Sequence, residues 1–285
     1  MRILRSVVVI FCFGAVFTAC RKELSVENGT NQVRGLLVKA VGITGNDTLT
    51  TIYTYDNKSR LETETTNGKF GNEPLHFYRR YTRDFTTRIT QITEQLTKSG
   101  VVYDTTRTFV HYADPIALEY DYTIFINTNS GLTIIDSTVY SFSGSQMDSA
   151  KSFTAIPELG IPPTLSEWNE FIYNSDGNVA SRNLYSSVSS PDGSLLFTAS
   201  FTYTYNGEPD YLWYTANAAQ NYLLVGLPNF SNKNVSRLDK TDQTGNDQDL
   251  SITTTLNIGA DNKADSGVVT EKPLNRVTRY TFYYQ

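Results

Sequence analysis

His76 and His111 are the chain's two histidines, and the second lies in FVHYAD with Asp114 three residues further on. In an extended strand, residues three apart face opposite sides, so His111 reads as a structural or surface histidine rather than half of a dyad. Glu62 with Glu64, and Glu119 with Asp121, are carboxylates two apart that share a strand face at about 7 Å. A glycosidase must hold its pair across a scissile bond in a cleft, and the residues around these pairs mark none, so both read as solvated. The stretch DKTDQTGNDQD gathers Asp239, Asp242, Asp247 and Asp249 around a glycine. Calcium favours such hard oxygens, but the spacing is not that of an EF-hand, and a flexible acidic loop is expected. There is no Gly-x-Ser-x-Gly, no His-Glu-x-x-His and no phosphate-cradling glycine loop. No catalytic residue, metal or cofactor is therefore assigned, and a non-enzyme is expected.

A different chemistry is offered by HFYRRYTRDF, where alternation places Phe77, Arg79, Tyr81, Arg83 and Phe85 on one face. Arginines between aromatic rings stack by cation-π contact and can receive an acidic sugar or another anion. The competing reading is a self-contained ladder whose arginines pair with acidic neighbours across strands. Trp168 and Trp213 are either packing residues or platforms for a sugar ring. The candidate ligand-binding residues are thus Arg79, Tyr81, Arg83, Trp168 and Trp213.

Strands must position these groups. Period-two alternation puts Leu118, Tyr120, Tyr122, Ile124 and Ile126 on one face of LEYDYTIFIN, with Asp121 and Thr123 opposite. The same pattern aligns Phe197, Ala199, Phe201, Tyr203 and Tyr205, and then Leu250, Ile252, Thr254, Leu256 and Ile258. These are half-buried antiparallel strands with the apolar side toward a core. Turn signals fall at Asn67-Gly68, Ser99-Gly100, Asn129-Ser130-Gly131, Asp176-Gly177-Asn178, Asp192-Gly193 and Asn206-Gly207, where hairpins need positive φ. A brief helix is expected over TLSEWNEF (164–171), capped by Thr164 or Ser166. The proline-rich 156–167 reads as a non-strand crossover between two halves of one sheet, or as a domain boundary. The fold class is all-β: a large, curved, mainly antiparallel meander, half-closed and filled by its own aromatics. Its closure to a barrel-like shell is left open by periodicity.

The N-terminus supplies an address. Arg2 and Arg5 precede an apolar run from Val7 to Val16, too short for the roughly 20 residues of a spanning helix and suited to a signal-peptide core. Phe17-Thr18-Ala19-Cys20 then resembles a lipobox, the site where bacterial lipoproteins are acylated and cut. That resemblance implies removal of 1–19, lipid on Cys20, a polar tether over 20–32 and a single β-rich domain over 33–285. Cys12 and Cys20 are the only cysteines, so the folded domain would carry no thiol, which excludes disulfide staples and thiolate chemistry. Loss of Arg2 and Arg5 from 24 basic residues against 29 acidic leaves a mature charge near −7. Nucleic acid is thereby excluded as a partner.

A loose repeat runs along the chain: an aromatic, x, Tyr-Asp or Tyr-Asn, a turn, then an aliphatic residue. Its clearest copies are YTYDNKSRL (53–61), FIYNSDGNV (171–179) and YTYNGEPDYL (203–212). With GLPNFSNKNVSRL (226–238) and the terminal RYTFYY (279–284), the sequence resembles a family of uncharacterised Bacteroidetes lipoproteins built from degenerate Tyr-Asp repeats, distantly like those of Rhs-type shells. The resemblance implies the fold and the address and brings no activity. Four triplets, at Asp47-Thr48-Leu49, Asp104-Thr105-Thr106, Asp136-Ser137-Thr138 and Asp148-Ser149-Ala150, resemble the O-glycosylation sequon of exported proteins in that phylum.

The expected function is a cell-envelope lipoprotein, anchored in the outer membrane, that binds a glycan or an envelope protein without catalysis. The leaflet face is not specified. Two alternatives stand beside it: a glycan-active enzyme with unrecognised carboxylates, and a transmembrane β-barrel, which the tyrosine-rich strands and aromatic C-terminal strand favour.

Overall fold

The computed structural model describes residues 36–209, 233–242, 251–260, 264–272 and 275–284, apart from short gaps at 59, 72, 87, 114–117, 128–130, 145 and 188–193. Among the described residues, alternation becomes sixteen strands in eight successive hairpins. The first four hairpins are β1 (Leu37–Thr44) with β2 (Asp47–Tyr55), β3 (Leu61–Phe70) with β4 (Glu73–Arg83), β5 (Ile89–Lys98) with β6 (Val101–Tyr112), and β7 (Leu118–Asn127) with β8 (Thr133–Ser143). The second four are β9 (Gln146–Ile156) with β10 (Ile161–Tyr173), β11 (Val179–Ser186) with β12 (Leu196–Pro209), β13 (Lys233–Asp242) with β14 (Ser251–Ile258), and β15 (Ala264–Lys272) with β16 (Arg276–Tyr284). Every strand pairs antiparallel with its sequence neighbour, and β1 pairs with β16 to close a barrel. Closure removes the two open edges that a half-closed sheet would expose.

The two rims differ. Each register shift between one hairpin and the next lies at the same rim, beside Tyr55, Arg83, Tyr112, Phe142, Tyr173, Tyr205 and Ile258, and at Leu37 where β16 meets β1. A bulge sets two residues against one and leaves backbone groups unpaired. In six hairpins an inward side chain near the end of the even strand donates to the carbonyl of the first or second residue of the odd strand. Tyr55 reaches Leu37 O at 2.7 Å, Arg83 Nη1 reaches Leu61 O at 2.6 Å, and Tyr112 reaches Ile89 O at 3.0 Å. Tyr173, Tyr205 and Tyr284 do the same to Met147, Val179 and Ala264, at 3.0, 2.5 and 3.0 Å. The residues so capped form a nearly water-free ring: Leu37, Leu61, Ile89, Met147, Val179 and Ala264 are all 3% exposed or less. At the opposite rim, where register shifts fall inside hairpins at Leu96/Thr97, Leu165/Glu167 and Leu184/Tyr185, inward-register residues such as Val101 and Leu196 are 68% and 40% exposed.

Three turns of the bulged rim share one geometry. Asp56 Oδ1 accepts from the backbone N–H groups of Lys58 and Arg60, and Asp84 and Asn174 accept in the same way from the residues two and four further on. RDFTTRI (83–89) is therefore a copy of the Tyr-Asp turn that the sequence pattern did not mark, because Arg83 stands where tyrosine is usual.

Several expectations change. The strands alternate as read, but LEYDYTIFIN is turned over: Asp121 is buried inside, in register with Val110 and Thr138, while Tyr120 and Tyr122 lie in register with His111, Phe109, Val139 and Ser137 on the outer face. Phe197 is displaced outward from the Ala199, Phe201, Tyr203 row by the register shift at Leu184/Tyr185. TLSEWNEF is not helical but part of β10. Residues 156–167 are no long crossover: a 3₁₀ turn at Pro157–Leu159, ended by Gly160 at φ 67°, links two adjacent strands. Asn67-Gly68 lies within β3, where Gly68 packs so closely on β2 that a Cβ would stand 2.0 Å from Thr48 O. Asn206-Gly207 likewise lies within β12. Ser99-Gly100 and Asp176-Gly177-Asn178 are turns between strands, and Asp192-Gly193 lies outside the described residues.

Candidate binding surfaces

Alternation gives the barrel two chemically distinct faces. The inner face holds the buried core, including Tyr53, Tyr81, Phe171, Phe201, Tyr203, Tyr280 and Phe282. The outer face is rich in threonine and glutamine, as in Thr48, Thr50 and Thr54 of β2 and Gln91, Thr93, Gln95 and Thr97 of β5. It also carries the exposed charges Arg80, Arg107, Lys151, Arg237 and Arg279.

Arg79, Tyr81 and Arg83 all point inward from β4. Arg79 lies between Glu64 on β3 and Glu94 on β5, with Nη1 at 3.4 Å from Glu64 and a closer ion pair to Glu94. Thr106 on β6 extends the chain by donating to Glu94 at 3.0 Å. Burial disfavours the guanidinium charge, yet Glu94 and Glu64 outweigh it and hold Arg79 ionised. Arg83 is committed to the Leu61 carbonyl. The arrangement is thus a cross-strand ladder in which Arg79 is compensated in place. A second inward pair joins Asp121 to Tyr140, whose hydroxyl donates at 2.5 Å. Burial pushes the Asp121 carboxyl up to about 6, against the bond from Tyr140.

Trp168 faces outward and is one member of a long row. Register aligns His111, Tyr120, Val139, Lys151, Trp168, Tyr185 and Phe197 across β6 to β12. Six strand spacings make this row about 29 Å long. His111 stacks on Tyr120 at 4.4 Å, Trp168 stacks on Tyr185 at 5.1 Å, and Phe197 meets Tyr185 edge-on at 5.8 Å. Lys151 Nζ stands 5.1 Å over the Trp168 ring. The pattern that hid this row is cross-strand: its members are far apart in sequence and become neighbours only through register.

The carboxylate pairs separate. The bulge puts Glu62 outward, 3.8 Å from Arg80, while Glu64 turns inward, and Asp121 is buried while Glu119 is exposed. Asp239 pairs with Arg237 on the outer face at 2.7 Å. Among the described residues no three His, Cys, Asp or Glu side chains could hold a metal. Cys20, Trp213, Asp114, Asp247 and Asp249 lie outside the described residues, as does the side chain of Asp242. No described helix is long and apolar enough to cross a membrane, which says nothing of a barrel.

No family model and no curated protein matches the chain. Among solved structures it is similar to a porin-like protein from Bacteroides vulgatus ATCC 8482, with a TM-score of 0.50 and 10% identity over 88% of this chain and 99% of that one. A porin-like protein from Bacteroides uniformis ATCC 8492 aligns with a TM-score of 0.49 and 10% identity, over 87% of this chain and 96% of that one. The first likeness establishes the fold: an all-β antiparallel meander closed into a barrel.

Proposed function

We propose that this chain is an outer-membrane-associated β-barrel that binds rather than catalyses, and that the barrel stands in water beside the membrane, held by lipid on Cys20. The observation that carries this reading is the chemistry of the outer face. A membrane-spanning barrel presents an apolar band to lipid, and an arginine or lysine at the bilayer midplane costs about 2–4 kcal/mol. Arg80, Arg107, Lys151, Arg237 and Arg279 all point outward from strands, among threonines and glutamines and interspersed with outward apolar residues such as Ile43, Ile52, Val139 and Ile172, while the buried core cluster fills the inside. The outward aromatic row is the surface assigned to the partner, a glycan or an envelope protein, since flat rings beside a cation offer both apolar stacking and polar contact.

The porin-like likeness and the closed sixteen-strand barrel favour a second reading, a transmembrane β-barrel, because bacterial barrels of this type have even strand numbers from 8 upward. Fractionation separates the two. Under the tethered reading, Cys20→Ala moves the protein to the soluble fraction and it stays folded without detergent. A variant that remains in the outer membrane until detergent extracts it establishes the spanning reading instead.

A further inference from the structure

Inside the barrel, the described arginines of the core are answered by carboxylates or carbonyls with one exception. Arg79 has Glu64 and Glu94, Arg276 has Glu271, and Arg83 has the Leu61 carbonyl. Arg182 on β11 forms no ion pair among the described residues, and its Nε is buried without a hydrogen-bond partner. Its guanidinium lies 4.0 Å from the centre of the Phe201 ring. Phe201 is in register with Arg182 on one side and with Lys240 of β13 on the other. Lys240 also has no ion pair among the described residues. Two uncompensated cations thus flank one aromatic ring on the inner face, about 10 Å apart at the backbone by strand spacing.

The groups around them are also unfinished. Tyr203, two residues beyond Phe201, is 5% exposed and its hydroxyl has no hydrogen-bond partner among the described residues. Asn169 on β10 is fully buried; its amide nitrogen donates to Glu167 at 2.7 Å, but its Oδ1 accepts from nothing. Glu167 is the inward carboxylate of that strand, and this bond engages it. Buried polar atoms without partners are rare and costly, and three of them, Asn169 Oδ1, Arg182 Nε and the Tyr203 hydroxyl, fall on the three adjacent strands β10, β11 and β12, with Lys240 beside them on β13. Arg182 and Lys240 keep partial exposure, so the place is reached by solvent.

We propose that Arg182 and Lys240 bind the oxyanion of a small hydroxylated organic acid within the barrel. The Tyr203 hydroxyl donates to the anion, and Asn169 Oδ1 accepts from a ligand hydroxyl. Arginine and lysine are the residues for carboxylate and phosphate capture, an acceptor amide beside them selects for hydroxyl groups, and the Phe201 ring already orients the guanidinium. A sugar acid or a sugar phosphate has this chemistry, whereas a neutral sugar lacks the charge. The site is separate from the outer aromatic row and does not depend on how the barrel meets the membrane.

The test is calorimetric titration of the purified full chain with glucuronate, glucose 6-phosphate, inorganic phosphate and glucose. One of the two sugar anions binds, glucose is at least about tenfold weaker, and Arg182→Gln and Lys240→Gln each weaken the anion by about tenfold or more. Arg279→Gln, on the outer face, leaves binding unchanged. A melting comparison of Arg182→Leu without ligand guards against a folding artefact: a binding arginine that lacks a counter-charge is dispensable, so the melting temperature holds or rises. No anion binding up to about 10 mM, binding indifferent to both inner variants, or a large fall in the Arg182→Leu melting temperature each overturns the proposal.

Discussion

Tyr173 shows how one side chain closes a hairpin. Its hydroxyl donates to Met147 O at 3.0 Å and accepts from Met147 N at 3.1 Å, satisfying both backbone groups that the register shift frees. Tyr173→Phe keeps the ring and strands both groups, so a loss of about 1–3 kcal/mol is expected in denaturant unfolding. Asp121 is the residue whose charge the fold opposes. Its carboxyl, ordinarily near 3.8, is raised to about 6 by burial, so its contribution is fully present below about pH 4 and is lost as pH rises through 6. Asp121→Asn still accepts from Tyr140 but cannot ionise. Unfolding at pH 4.5 and pH 7.5 should show the variant's gain on wild type larger by about 2 kcal/mol at the higher pH. Neither role could be read from sequence: a tyrosine before a turn is visible, but the carbonyl it caps belongs to the previous strand.

At the scale of the element, the repeat is a hairpin, joined to the next by an Asx turn at Asp56, Asp84 and Asn174. Asp84 receives the Thr86 and Arg88 N–H groups on Oδ1 and the Arg88 guanidinium on Oδ2. Burial works against its ionisation, but the bonds from Thr86 and Arg88 hold the carboxyl below the usual range. Asn174 makes the same turn with an amide oxygen. Asp84→Asn should therefore cost less than Asp84→Ala, with alanine losing about 1–2 kcal/mol; equal losses would show that the backbone bonds do not matter. Gly68→Ala should cost more, about 2–4 kcal/mol, since the new methyl meets the Thr48 carbonyl. Alternation and the turns at Asp56 and Asn174 were legible because both are local, whereas the third copy, at Tyr205-Asn206, continues within β12. The bulges were not legible: each shifts one residue, which is why Glu62 and Glu64 part and Phe197 faces outward. TLSEWNEF misled because its glutamates and tryptophan suit a helix, whereas pairing with β9 and β11 holds it extended.

For the whole molecule, closure is the property that the residues could not declare, since β1 and β16 meet from opposite ends of the chain. Once closed, inside and outside follow from register, and the chemistry of each face becomes a statement about its solvent. Arg182 and Lys240 then stand out as inward cations, although the spacing Val179-x-x-Arg182 already repeats Leu61-x-x-Glu64 and Ile89-x-x-Ile92 as inward positions. The central claim, that the outer face meets water, is tested most directly by quenching. A cysteine placed at Thr105, an outward position of β6, is labelled with an environment-sensitive fluorophore in membranes holding a Cys20-acylated chain. Emission quenched by aqueous iodide and untouched by a quencher carried on lipid tails is the predicted result. Quenching from the lipid side with protection from iodide would contradict it and place the barrel wall in the bilayer.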